Sequence, residues 1–130
     1  MFGKFQQSQI RIEVEASAAA IRDSLLRPAN LGKWLISGNF VNSMPEELRP
    51  GLEFTRSLGL ISIQHRVDVV NSDSLRLLLS QGIDGFHEWY WGDGWVQSRI
   101  EGVTVLPLSL GQTVSLLSLR QFLASEKKSN

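Results

Sequence analysis

Between residues 51 and 106 the chain is a succession of period-two runs cut by turn residues. Alternation of apolar and polar side chains is the pattern of a strand with one buried face. This stretch must therefore form a sheet and find something apolar to cover it. The runs are residues 51–57, 60–70, 75–81, 86–91 and 95–106, broken at 58–59, 71–74, 82–85 and 92–94. Asn71, Ser72, Asp73 and Ser74 carry turn chemistry. Gly92-Asp93-Gly94 reads as a hairpin loop whose glycines supply positive φ. Residues 8–14 alternate in the same way, and residues 39–42 form a brief further run.

The cover is legible at the other end of the chain. Pro107 ends the sheet, Ser109 is the expected N-cap, and a helix is predicted from residue 110 to about 124. At about 100° per residue, Leu110, Val114 and Leu117 fall on one side of this helix and Leu116, Leu119, Phe122 and Leu123 on another. A helix apolar over so much of its girth is expected to be largely buried. Thr113, Ser115 and Ser118 are small, which leaves room beside it. Near the start, Ser17 reads as the N-cap of a helix carrying Ala18, Ile21 and Leu25. Pro28 stops that helix and opens a second, with Leu31, Trp34 and Leu35 as its apolar face and Gly38 as its end. Residues 44–50 read as a loop.

The 130 residues fit a single domain, 1–130, with a core of about residues 9–124 and a polar tail at 125–130. Lys plus Arg equals 13 and Asp plus Glu equals 13, so no broad field draws the chain to a nucleic acid. The chain has no cysteine, which excludes disulfides and thiolate chemistry. It shows no signal-peptide core and no apolar run of membrane-spanning length. A soluble cytoplasmic protein without an integral membrane segment is expected.

The predicted order is strand, two short helices, further strands and a long helix. Its local marks are Pro28-Ala29-Asn30-Leu31-Gly32-Lys33-Trp34, the 88–94 hairpin with Glu88-Trp89-Tyr90-Trp91, and Leu106-Pro107-Leu108. In this the chain resembles the START-like helix-grip superfamily (the SRPBCC type), which includes polyketide cyclase/dehydratase-like and lipid-transfer proteins. The resemblance implies an α+β fold: a curved antiparallel sheet of about seven strands, two short helices and a long C-terminal helix. It also implies an apolar cavity between sheet and helix that holds a lipid, isoprenoid or polyketide-like molecule.

Several residues are candidates for that site. His65 shares parity with Ile61, Ile63, Val67 and Val69, so it is expected to face inward, either as an acid/base or ligand anchor or as a plain core histidine. The hairpin offers two orientations. With a three-residue loop, Trp91 faces Trp95, one face holds Phe86, Glu88, Tyr90, Val96, Ser98 and Ile100, and the other holds His87, Trp89, Trp91, Trp95, Gln97 and Arg99. In the first orientation Glu88 and Tyr90 join His65 inside. In the second, Trp89 and Trp91 line the pocket. Ser115 and Ser118 complete the expected lining from the helix. His65 and His87 do not form a spaced ligand pair, so no metal and no cofactor is expected.

Three functions follow. The first is a binding protein for a hydrophobic small molecule. The second is a cyclase- or dehydratase-type enzyme with His65 or Glu88 as catalytic acid/base and Tyr90 or Arg99 stabilising an oxyanion. The third is an interaction module, a homodimer formed through the Trp-rich hairpin face or the long helix.

Overall fold

The period-two runs pair into one curved antiparallel sheet. The computed structural model describes residues 3–35, 38–39, 44–58 and 60–129. The elements in order are β1 (Lys4–Glu13), α1 (Ala18–Leu26), α2 (Pro28–Trp34), β2 (Gly38–Asn39), β3 (Glu53–Leu58), β4 (Ile61–Val70), β5 (Ser74–Gln81), β6 (Asp84–Gly92), β7 (Trp95–Thr104) and α3 (Leu108–Ser129). The strands lie in the order β1-β7-β6-β5-β4-β3-β2. The expected count of about seven strands is corrected to six. β2 is a two-residue edge segment on Arg56 and Thr55, too short to count as a seventh. Residues 40–42 of the expected 39–42 run, and Gly59 of the expected turn, lie outside the described residues.

The helix starts follow local chemistry. Ser17 Oγ accepts from Ala20 N at 3.1 Å, which caps α1. Asp93, at the hairpin tip, accepts from Ala18 N at 2.8 Å and holds a second free N–H of the same end. Pro28 opens α2 at its first position. α2 ends at Trp34, four residues before the expected stop at Gly38, with Leu35 already extended. At α3 the expected cap is also corrected. The helix begins at Leu108, ahead of Ser109, because Pro107 presets the turn and Gln6 Oε1 accepts from Leu108 N at 3.2 Å. It runs past residue 124 to Ser129.

Two registers differ from the sequence reading. Gly92 pairs with Trp95 and Trp91 with Val96, so the hairpin loop is the two residues Asp93-Gly94. Gly94 takes the positive φ, at +81°. The shift by one exchanges the faces of β7 relative to β6. The inner face carries His87, Trp89 and Trp91 with Val96, Ser98 and Ile100; Phe86, Glu88 and Tyr90 face out with Trp95, Gln97 and Arg99. In β4, Val67 pairs with Leu77 but Val69 with Arg76, which leaves Asp68 as a bulge. Val69 therefore turns outward, against its expected parity with His65.

α3 presents one buried stripe, Leu108, Gln112, Leu116, Leu119 and Leu123. Leu110, Val114 and Leu117 are exposed, so the helix is covered on one side only and the expectation of burial around its girth is corrected. Among the described residues no helix is long and apolar enough to cross a membrane. Leu119 is 0% exposed and Leu117 is 47% exposed. Leu119→Ala is expected to cost about 2–4 kcal/mol in a urea titration. Leu117→Ala is expected to stay within about 0.5 kcal/mol. Equal losses would place the helix in another rotation.

Candidate ligand-binding cavity

Small residues on α3 and bulky ones behind it divide the space beneath the helix. Towards its middle, Trp34 and Trp89 meet edge to face at 6.2 Å and fill the core. Trp34 is fixed by its Nε1–H to Ser24 O, 2.8 Å, and Ser118 Oγ donates to Trp34 O at 2.5 Å. Towards the N-terminal half of α3, Gly111 and Ser115 leave a cavity of about 280 Å³ over β4–β7. Its walls are mainly apolar, with Ile63, Leu79, Ile83, Ile100 and Leu108 among them. Arg56, His65, His87, Gln112 and Ser115 are the polar members. A void of about 30 Å³ under Trp34 and Trp89 shares Arg56, His65, His87 and Ser115 with it. A wider groove of about 910 Å³ lies between the start of α1 and the end of α3, lined by residues such as Glu15, Asp23, Glu126 and Lys127.

The two imidazoles are each held by a hydrogen bond. His65 Nδ1 lies 3.2 Å from Ile63 O. A carbonyl only accepts, so Nδ1 carries the hydrogen and Nε2 keeps its lone pair. Around His87 the order begins at Gln112. Its Nε2 donates to Ser98 O at 2.8 Å and Ser8 O at 3.2 Å, and Ser8 Oγ donates to its Oε1 at 2.6 Å. Gln112 Nε2 also reaches Ser98 Oγ at 2.9 Å, and that hydroxyl lies 2.6 Å from His87 Nε2. Ser98 Oγ thus ties the amide of Gln112 to the His87 ring. Of the two rings, His65 is the one whose tautomer its contact fixes.

Both rings are held neutral. Burial lowers His65 from the ordinary 6.5 to about 4, helped by the charge of Arg56 and opposed by the Ile63 carbonyl. Burial lowers His87 from 6.5 to about 3, with His65 and Arg56 adding to it. His65 also stacks on Phe54 at 4.8 Å, and His87 leans on Trp89 at 4.7 Å.

The expected site residues separate. His65, Ile63 and Ser115 line the cavity, and Trp89 lines the smaller void. Ile61 shares their sheet face but borders neither space, Val67 and Trp91 are in the core, and Ser118 is tied to Trp34. Glu88 and Tyr90 are on the convex face. There Glu88 takes Arg76 at 3.0 Å and Arg99 at 3.4 Å, and Tyr90 Oη donates to it at 3.2 Å. Burial first, and then Glu88, raise the Tyr90 phenol above its usual value. Arg56 and Gln112 were missed as lining, and His87 stood on the second of the two hairpin faces left open. The parity of residues 51–57 would have placed Arg56 beside Phe54, and a two-residue loop would have turned His87 inward.

The low imidazole values carry a sign. Between 6.5 and the folded values the unfolded chain binds protons that the folded chain does not, so stability falls as pH drops through this window. The urea midpoint is expected to be lower at about pH 5 than at pH 7.5, and His65→Phe, which keeps the ring stack, is expected to flatten that fall. An unchanged slope would remove His65 from the account.

No protein family and no curated protein matches the sequence. Solved structures do match. DynU16, from the dynemicin biosynthetic locus, superposes with a TM-score of 0.71 at 16% identity over 92% of this chain, which spans about half of that protein (48%). The AHSA1-like protein of Aeromonas hydrophila gives 0.71 at 14% identity, covering 94% of each chain. The Aha1 dimer of Colwellia psychrerythraea gives 0.62 at 15% identity, covering 91% of this chain and 96% of that one. With its sheet, its two short helices and α3 laid across them, the chain shares a helix-grip fold with these proteins.

Proposed function

We propose that the chain is a cytoplasmic protein that binds a small hydrophobic molecule, of lipid, isoprenoid or polyketide-like character, between the sheet and α3. The observation that carries this is the cavity of about 280 Å³, apolar with a few convergent polar groups. That is the make-up of a ligand site, at the lower end of the usual range of roughly 300–1,000 Å³. Its size favours a single ring or a short chain over an extended lipid.

An acid/base enzyme is the weaker reading. Glu88 is turned away from the cavity and engaged by two arginines. His65 titrates near 4, well below the range in which a general base works at neutral pH. Two neutral, hydrogen-bonded rings suit recognition better than proton transfer. A homodimer is a second reading. It is favoured by the exposed Leu110, Val114 and Leu117 on one side of α3 and by the dimer of the Colwellia neighbour. The hairpin tryptophans do not support an interface, since Trp89 and Trp91 are buried. Sedimentation of the purified chain as a monomer would remove this second reading.

Trp34 and Trp89 border the smaller void, so their emission reports on the site. Short fatty acids, monoterpenes and small aromatic ketones are the compounds to titrate, and at least one class is expected to change the emission saturably. Ser115→Leu, which fills the cavity, is expected to abolish that change with folding retained. No response from any class, or an unaltered response in Ser115→Leu, would overturn the proposal.

A further inference from the structure

We propose that the ligand carries a neutral hydroxyl and that His65 Nε2 accepts its hydrogen; this rests on reading the cavity as a binding site. The direction of the His65 ring is set from two sides. It stacks on Phe54, its partner on β3, with centroids 4.8 Å apart and planes 9° apart. Its Nδ1–H is turned back onto its own strand, 3.2 Å from Ile63 O. The two nitrogens of an imidazole point apart, so Nε2 is directed away from that carbonyl with its lone pair unshared. Burial keeps the ring unprotonated at neutral pH. Nε2 has no hydrogen-bond partner among the described residues, nor is it closed off by them. It opens onto the space that His65 borders, the main cavity and the adjoining void.

Ser115 meets the same two spaces from α3. Of the hydroxyl residues between positions 112 and 118 of that helix, Thr113 returns its Oγ1–H to Ser109 O at 2.8 Å, and Ser118 is tied to Trp34 O. The Ser115 hydroxyl has no such partner among the described residues. A ligand hydroxyl gives one hydrogen bond and takes another, so a single oxygen can satisfy the imidazole and the serine together. A carbonyl or ether oxygen brings only lone pairs to face the lone pair of Nε2, and leaves that acceptor unmet and out of water. An ammonium could donate, but none of the described residues lining the two spaces is Asp or Glu to hold its charge. Ile83, Ile100, Leu106 and Leu108 are among the remaining walls and suit an apolar body. The class is a compact apolar alcohol or phenol, distinct from the ketones, ethers and amines of the same shape.

The test uses the full chain and two pairs of probes, menthol with menthone and 1-phenylethanol with acetophenone. Each pair shares one carbon skeleton and differs in whether the oxygen carries a hydrogen. Binding is read by calorimetry. In at least one pair the alcohol is expected to bind about tenfold or more tighter than the ketone. His65→Phe keeps the stack on Phe54 and is expected to bring that alcohol and ketone within about threefold of each other while both still bind, which also shows that the variant is folded. A spectroscopic readout needs no variant: in wild-type protein the nitrogen-15 resonance of His65 Nε2 is expected to move upfield on adding the alcohol and to stay in place on adding the ketone. If the ketone binds as well as the alcohol in every pair that binds, the inference is overturned and the hydrophobic-cavity reading stands. An alcohol preference that survives His65→Phe, or a His65 resonance that the alcohol leaves unmoved, also overturns it. Failure of all the probes to bind overturns this inference and counts against the cavity reading beneath it.

Discussion

The buried amide of Gln112 holds the architecture together. It sits in the middle of the α3 stripe, 4% exposed, and its four contacts reach both β1 and β7. An amide of this kind is costly to bury unless its hydrogen bonds are met. Here they are met by Ser8 and Ser98, which fixes the height and rotation of α3 above the sheet. The same contacts orient Ser98, and through it His87. One side chain thus links the position of the covering helix to the polar groups of the cavity.

Around that tie the two faces of the sheet have opposite characters. The concave face has two regimes. Trp34, Trp89, Leu116 and Leu119 pack the space under the middle of α3, and Gly111 and Ser115 leave it open nearer the N-terminus. The convex face is held by charges. Arg76 spans from Asp68 on β4 to Glu88 on β6 and lies over the Phe86 ring, while Arg99 joins Glu88 to Glu101 on β7. Most of these charges are partly solvated and each pair contributes modestly. Their placement holds Glu88 on the convex face, away from the cavity.

Much of the fold was readable because period two is a strong signal and because Pro28, Ser17 and Pro107 punctuate the chain clearly. What escaped was phase. The buried stripe of α3 passes through Gln112, so a search for apolar residues alone finds two half-stripes and infers burial all round. The hairpin loop was read one residue too long, which exchanged β7 across the sheet and paired Trp91 with Trp95 instead of Val96. Asp68 is a bulge that alternation cannot reveal, since the residues on both sides of it still read as strand. His65, Ile63 and Ser115 were legible from parity and size. Arg56 shares the parity of Leu52 and Phe54 as well, but an arginine is not sought among the residues of an apolar face.

The edge pairing of β1 has a consequence for how the chain is made. Lys4 pairs with Thr104, and Gln6 hydrogen-bonds to Leu106, 100 positions further on. At roughly 5–20 residues per second of synthesis, β1 waits about 5–20 s for its partner to emerge. During that interval it is an unpaired strand, the kind of segment that recruits neighbours into aggregates. Its composition suits the delay: Gln7, Gln9 and Arg11 keep one side polar, and Gln6 and Ser8 dilute the other. Assembly is therefore non-local and late, with the first strand joining the sheet only when its last strand has appeared.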